Sequence, residues 1–241
     1  VIIDPETTFI TLTTTFKYDS SLTTKDVSTL QTNVLNAVST YNTDTLEDFT
    51  GMFRYSAVGK TIDEADTSIL SNITKIKMYK YITPTLSSGL KYTLSFNNAF
   101  YNPHSGHNAS AGGIVSSTGF KINDDSSTNE HFLDDNGEGA IRVYYLSGTT
   151  RIYTDSSFGT IDYTTGEIIL TSANITSISN VDGAASTQIR VTVTPSSNDV
   201  VPVRNQVLSI DTANSSFTGS VDEIESGSSQ AGTSYTTTSS Y

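Results

Sequence analysis

The sequence predicts an α+β chain: a small strand–helix–helix–strand domain over residues 1–86, then an all-β sandwich or partly open barrel domain over 87–212. Three observations carry this reading. Apolar spacing switches from two to three-and-four and back within the first ~80 residues. Helical periodicity stops at Pro84. Beyond it, short alternating runs are punctuated by Gly- and Asn-bearing turns.

The first run, Phe9 to Tyr18, places Ile10, Leu12, Phe16 and Tyr18 on one parity and Thr11, Thr13, Thr15 and Lys17 on the other, as in a half-buried strand. Val27, Leu30, Val34, Val38 and Tyr41 then fall on one narrow helical face, with Thr24 as the expected N-cap. So narrow a stripe suits a helix lying on a sheet. Leu46, Phe49, Met52 and Phe53 suggest a second, shorter helix despite Gly51, and 62–65 suggest one further turn. A long strand follows from Ile69 to Ile82, with Ile76, Met78 and Ile82 opposite Lys75, Lys77, Tyr79 and Tyr81.

After Pro84, strands are expected at 90–96, 114–120, 132–146 (a hairpin turning on Asn136-Gly137), 160–170 (a hairpin with Gly166 as its left-handed residue), 189–193 and 207–210. The remaining stretch, 213–241, reads as a Ser/Thr-rich tail with too little apolar surface to order alone, and so ordered only by a partner.

Composition excludes several chemistries. The 241 residues carry a net charge of −12, with 8 bases and 10 acids in residues 1–100 against 5 bases and 15 acids in 101–241. Acidity of this size argues against nucleic-acid binding, and no apolar run is long enough for a membrane span. The absence of Cys excludes thiolate metal sites and fits assembly in a reducing cytoplasm. Val1 in place of Met suggests a piece of a longer polypeptide. His104, His107 and His131 are the only imidazoles; His104 and His107, with Glu130 or Asp134, could ligate a metal, and a polar loop explains them better. Asp134-Asp135-Asn136-Gly137-Glu138 resembles the first half of a calcium loop, but Tyr145 stands where the distal Glu belongs, and a hairpin turn explains the same residues. No Gly-x-Ser-x-Gly elbow or phosphate loop is present. The expectation is a non-enzyme with no cofactor and no metal. An alternative is a surface or secreted β-domain that binds glycan or protein, with the Asp/Asn turns holding Ca²⁺.

Several blocks taken in order carry a resemblance. They are Phe53-Arg54-Tyr55-Ser56 with Ile62-Asp63; Leu70-Ser71-Asn72 into Lys75-Ile76-Lys77-Met78; and Asn102-Pro103-His104-Ser105-Gly106. Further along come Asp134 to Gly137, Gly159-Thr160-Ile161-Asp162-Tyr163 and Arg204-Asn205-Gln206-Val207-Leu208. Together they are similar to the carboxyl-terminal half of T-even-type myovirus baseplate wedge proteins, relatives of the baseplate J-like family. The resemblance implies a structural virion subunit of a contractile tail. It would pair with a second copy of itself, contact other baseplate wedge proteins, and link wedges into a ring around the hub. The partner-contact candidates are Phe49, Met52 and Phe53 on the expected second helix, and Arg204, Asn205 and Gln206 beside Pro202. Ordinary core packing is the competing explanation for the first three, and a polar loop for the others.

Overall fold

The alternating run at the start forms β1 (Glu6–Tyr18), with Ile10, Leu12 and Phe16 fully buried and Thr13, Thr15 and Lys17 exposed. The structure is a computed structural model describing residues 6–109, 112–125, 128–203 and 205–223. Helix α1 (Val27–Tyr41) buries Leu30, Val34 and Val38. Its N-cap is Asp26, not Thr24: the Asp26 carboxylate accepts the Thr29 amide at 2.7 Å, so the cap stands directly before Val27, the first apolar position.

The second helix lies elsewhere than expected. From Asn42 to Leu46 the chain continues α1 as one π-helical turn and then doubles back. A Cβ on Gly51 would stand 2.5 Å from the Leu46 carbonyl oxygen, an approach that only glycine permits. Helix α2 is Tyr55–Asp63, held by buried Val58 and Ile62. It leads into β2 (Ile69–Ile82), the long strand expected there.

The second half contains β3 (Gly89–Ser95), β4 (Ser116–Ser117), β5 (Phe120–Ile122), β6 (His131–Asp135), β7 (Ala140–Ser147), β8 (Thr150–Asp162), β9 (Glu167–Ile178), β10 (Ile189–Val193), β11 (Gln206–Ile210) and β12 (Ser216–Val221). Two sheets result. The first runs β11-β1-β2-β10-β4, with β12 also paired to β1. Both β11 and β12 lie parallel to β1, in tandem along one edge. The second runs β3-β9-β5-β6-β7-β8, and β8 pairs back onto β9. The circuit β5-β6-β7-β8-β9 is therefore a closed five-stranded barrel, where the sequence suggested a sandwich or a partly open barrel.

Sheet membership does not follow chain order. β10 and β11, from the 87–212 stretch, and β12, from the expected tail, all hydrogen-bond into the sheet begun by β1 and β2. Parallel pairing to β1 supplies the order that Ser216–Val221 lacks alone; residues 224–241 lie outside the described residues. The exposed edge of β11 is closed by Asn42, whose side-chain oxygen accepts the Ile210 amide at 2.6 Å. One apolar core runs through both sheets, from Phe16 and Val34 to Phe96, Leu133 and Ile168.

Asp66, ahead of β2, ties the two ends of the helical segment together. The Lys25 ammonium lowers its pKa to about 2; burial opposes this, and the Ser68 amide and hydroxyl assist. A carboxyl depressed in the folded state adds stability that is complete above its unfolded pKa of ~3.9 and is lost as pH falls toward the folded value. Thermal melts should therefore show a shallower loss of stability between about pH 4 and 2 in Asp66→Asn than in the native chain. Parallel acid limbs would show that Asp66 contributes nothing to it.

Candidate functional site

The partner-contact candidates separate sharply by burial. Phe53 is fully buried and bridges to Val200, its amide 3.0 Å from the Val200 carbonyl, so its ring is spent on the core. Phe49 and Met52 remain 63% and 41% exposed in the loop that replaces the expected helix. The Arg54 guanidinium, 3.7 Å from the Met52 sulfur, also pairs with Asp199 at 2.9 Å. Asn205 occupies a left-handed turn (φ 72) just before β11. Gln206 is buried: its amide nitrogen donates to the Ser95 carbonyl at 3.0 Å, joining β11 to the end of β3. Arg204 lies outside the described residues. Phe49 and Met52 are thus exposed apolar side chains of one loop, far in chemistry from the polar turn at Asn205.

The densest polar grouping surrounds the adjacent pair Asp134-Asp135, for which the sequence allows either divergence on a strand or a shared solvated turn; the structure takes the first. Asp134 and Asp135 sit on β6, and both are buried. As neighbours on a strand they face opposite ways. Asp134 lies directly across from Arg142 of β7 and accepts Arg142 Nε at 2.9 Å, Arg151 Nη1 at 2.8 Å and the Tyr153 hydroxyl at 2.8 Å. The guanidiniums then stack crosswise, Arg142 over Tyr153 at 4.3 Å and Arg151 over Tyr144 at 4.6 Å. Asp135 accepts the Ile114 and Val115 amides at 2.7 and 2.8 Å and the Tyr163 hydroxyl at 2.6 Å. Burial, reinforced by the Asp135 charge, raises the Tyr163 pKa well above the ordinary phenol value and keeps it a donor.

Two glycines allow the preceding loop to lie on this network. A Cβ at Gly112 would fall 1.1 Å from Arg151 Nη1, and one at Gly113 2.1 Å from the Asp135 carboxylate. A two-residue hairpin register drawn from the Asn136-Gly137 turn would pair Asp134 with Gly139; the wider loop that forms instead moves the pairing to Arg142, and neither that shift nor the loop contacts carry a local signal.

The calcium-like turn is thereby occupied with protein donors, and Asn136 Oδ1 accepts the Glu138 and Ala140 amides. His104 and His107 stand 3.2 Å apart, exposed, while His131 is buried beside Asp125 and Thr154. Burial lowers the His131 pKa, against the opposing pull of Asp125. Among the described residues no group of three or more His, Asp or Glu is placed to hold a metal ion, and no helix is long and apolar enough to cross a membrane.

No curated protein matches the chain. The β1–α1–α2–β2 unit carries a family match: residues 6–81 match the family model of the baseplate structural protein gp6, C-terminal domain III, a domain of a T4-type contractile-phage baseplate wedge protein.

Proposed function

We propose that the chain is a structural subunit of a contractile-tail baseplate wedge that self-associates and joins neighbouring wedges into a ring around the hub. The observation that carries the reading is the gp6 domain match over residues 6–81, which supports a structural baseplate role, a place in the virion tail and contacts with other baseplate proteins. A protein of that family is expected to act through surfaces and not through catalysis. Self-association through Phe49 and Met52 is the finer part of the proposal. Two large apolar side chains left substantially exposed, on a loop fixed by Gly51 and by the Phe53–Val200 bridge, suit a small anchor in a partner pocket. In a ring of many copies, modest contacts of this kind add up.

Sedimentation velocity of the purified chain tests the self-association. The native chain is expected to show concentration-dependent oligomers, and Phe49→Asp/Met52→Asp to weaken association at least tenfold with its melting temperature unchanged. A native chain that stays monomeric at all concentrations defeats self-association. Absence of the chain from isolated tails defeats the baseplate role itself.

A further inference from the structure

One face of the first sheet is covered by helices and core; the other is open and sorted by charge. On β1, β2 and β12 the residues opposite the buried parity are Thr, Ser, Lys, Phe, Tyr and Ile, and none is acidic. At one end the chain covers this face itself. Phe9 stacks on Tyr79 at 4.9 Å, Asp211 accepts the Tyr79 hydroxyl at 2.6 Å, and Asp182 pairs with Arg190 at 2.8 Å. At the other end Lys17, Lys75 and Lys77 are exposed around Ile73, which is 71% exposed. The register fixes their arrangement: Lys75 lies across from Thr13, Ile73 from Thr15 and Lys17 from Ser71.

In a chain with 25 acids and 13 bases, cations normally find carboxylates. Lys25, Arg54, Lys60, Lys80, Arg142, Arg151 and Arg190 all do. Lys17, Lys75 and Lys77 have no ion pair among the described residues; the same holds for Lys91 and Lys121 in the second sheet, but these three share one face, at the end away from Asp182 and Asp211.

We propose that this lysine–threonine face docks an acidic surface of a different protein chain, with carboxylates spaced along an extended strand. Three arguments select that occupant. Lys75 and Lys77 are two residues apart on a strand, so their ammonium groups repeat at roughly 7 Å, the spacing of alternate side chains on a facing strand. The chain already uses Asp182 and Asp211 to cover the other end of the same face, so an acidic partner continues that pattern. A twofold contact of the face with its own copy would oppose three lysines to three lysines, which like-charge repulsion disfavours.

The first test needs only the purified chain and does not rest on the baseplate reading. Anisotropy of labelled poly-L-glutamate is expected to show binding that weakens as salt rises and falls at least tenfold in Lys17→Glu/Lys75→Glu/Lys77→Glu. Lys60→Glu, on the helical side, should bind as the native chain does. Because the three lysines are exposed, the triple variant should melt as the native chain does. Absent binding, binding unchanged in the triple variant, or equal binding of duplex DNA overturns the proposal. In isolated tails, carbodiimide coupling should join Lys75 or Lys77 to an Asp or Glu of another protein. Coupling to a second copy of this chain, or lysines as freely acetylated in the tail as in the free chain, overturns it. A tail that lacks the chain defeats the baseplate reading and leaves the poly-L-glutamate result standing.

Discussion

Replacing Asp134 with alanine is expected to destabilise the fold by about 3 kcal/mol, since two guanidiniums and a phenol lose their shared acceptor in a buried site. Denaturant unfolding at an unchanged m-value is the measurement. Arg142 and Arg151 keep some access to water, with side chains 17% and 33% exposed, which holds the cost below that of a fully enclosed charge. Charge and hydrogen bonding can be separated. Asp134→Asn retains an acceptor and should fall between the native chain and Asp134→Ala. If Asp134→Leu/Arg142→Met/Arg151→Leu recovers much of the loss, the penalty lay in stranded charge and not in lost pairing. A cost for Asp134→Ala below ~0.5 kcal/mol would place the network among ordinary surface ion pairs.

Phe16→Ala should be equally damaging, at about 3–5 kcal/mol, because the ring is fully buried between β1 and the helices. A second substitution makes the argument specific. A Cβ on Gly219 of β12 would meet the Phe16 ring at 2.7 Å and Val27 at 2.8 Å. Gly219→Ala should therefore cost about 1–3 kcal/mol by overpacking. In a Phe16→Leu background much of that cost should vanish, giving a double-mutant coupling near 1 kcal/mol or more. Additive effects would mean that β12 moves aside freely, and that its pairing to β1 counts for little.

How far the sequence could be read depended on whether the deciding contact was local. β1, α1 and β2 were legible because each carries its own period, and their limits follow from runs such as Ile69 to Ile82. The false helix at 46–53 arose because Leu46, Phe49, Met52 and Phe53 imitate helical spacing, while Gly51 permits a reversal that spacing cannot reveal. α2 has only Val58 and Ile62 to bury, too little periodic signal for nine residues. β12 reads Ser-Phe-Thr-Gly-Ser-Val and acquires strand structure only from β1, some two hundred residues earlier. Barrel closure depends likewise on β8 pairing back to β9. Of the candidate contacts, exposure at Phe49 and Met52 was foreseeable only as an alternative to core packing, and Phe53 went to the core. The acidic pair at 134–135 left two readings open, divergence on a strand or a solvated turn; choosing the strand needed donors that come from three different stretches of chain.

The placement of the barrel gives the molecule a mechanical grain. β2 leaves the first sheet at Ile82 to build the barrel, and the chain touches that sheet briefly as β4 before it returns as β10 at Ile189, whose rung is to Ile82 itself. Tension that draws the barrel away from the sheet would meet that rung together with the Phe100–Pro195 bridge and the Gln206–Ser95 hydrogen bond, which tie the two sheets beside it. Tension along β1 meets the β1–β2 ladder in shear, with all its rungs loaded together and β11 and β12 bracing the far edge. The chain is therefore expected to be stiffest along the strand direction of β1, and braced at the neck by several separate ties.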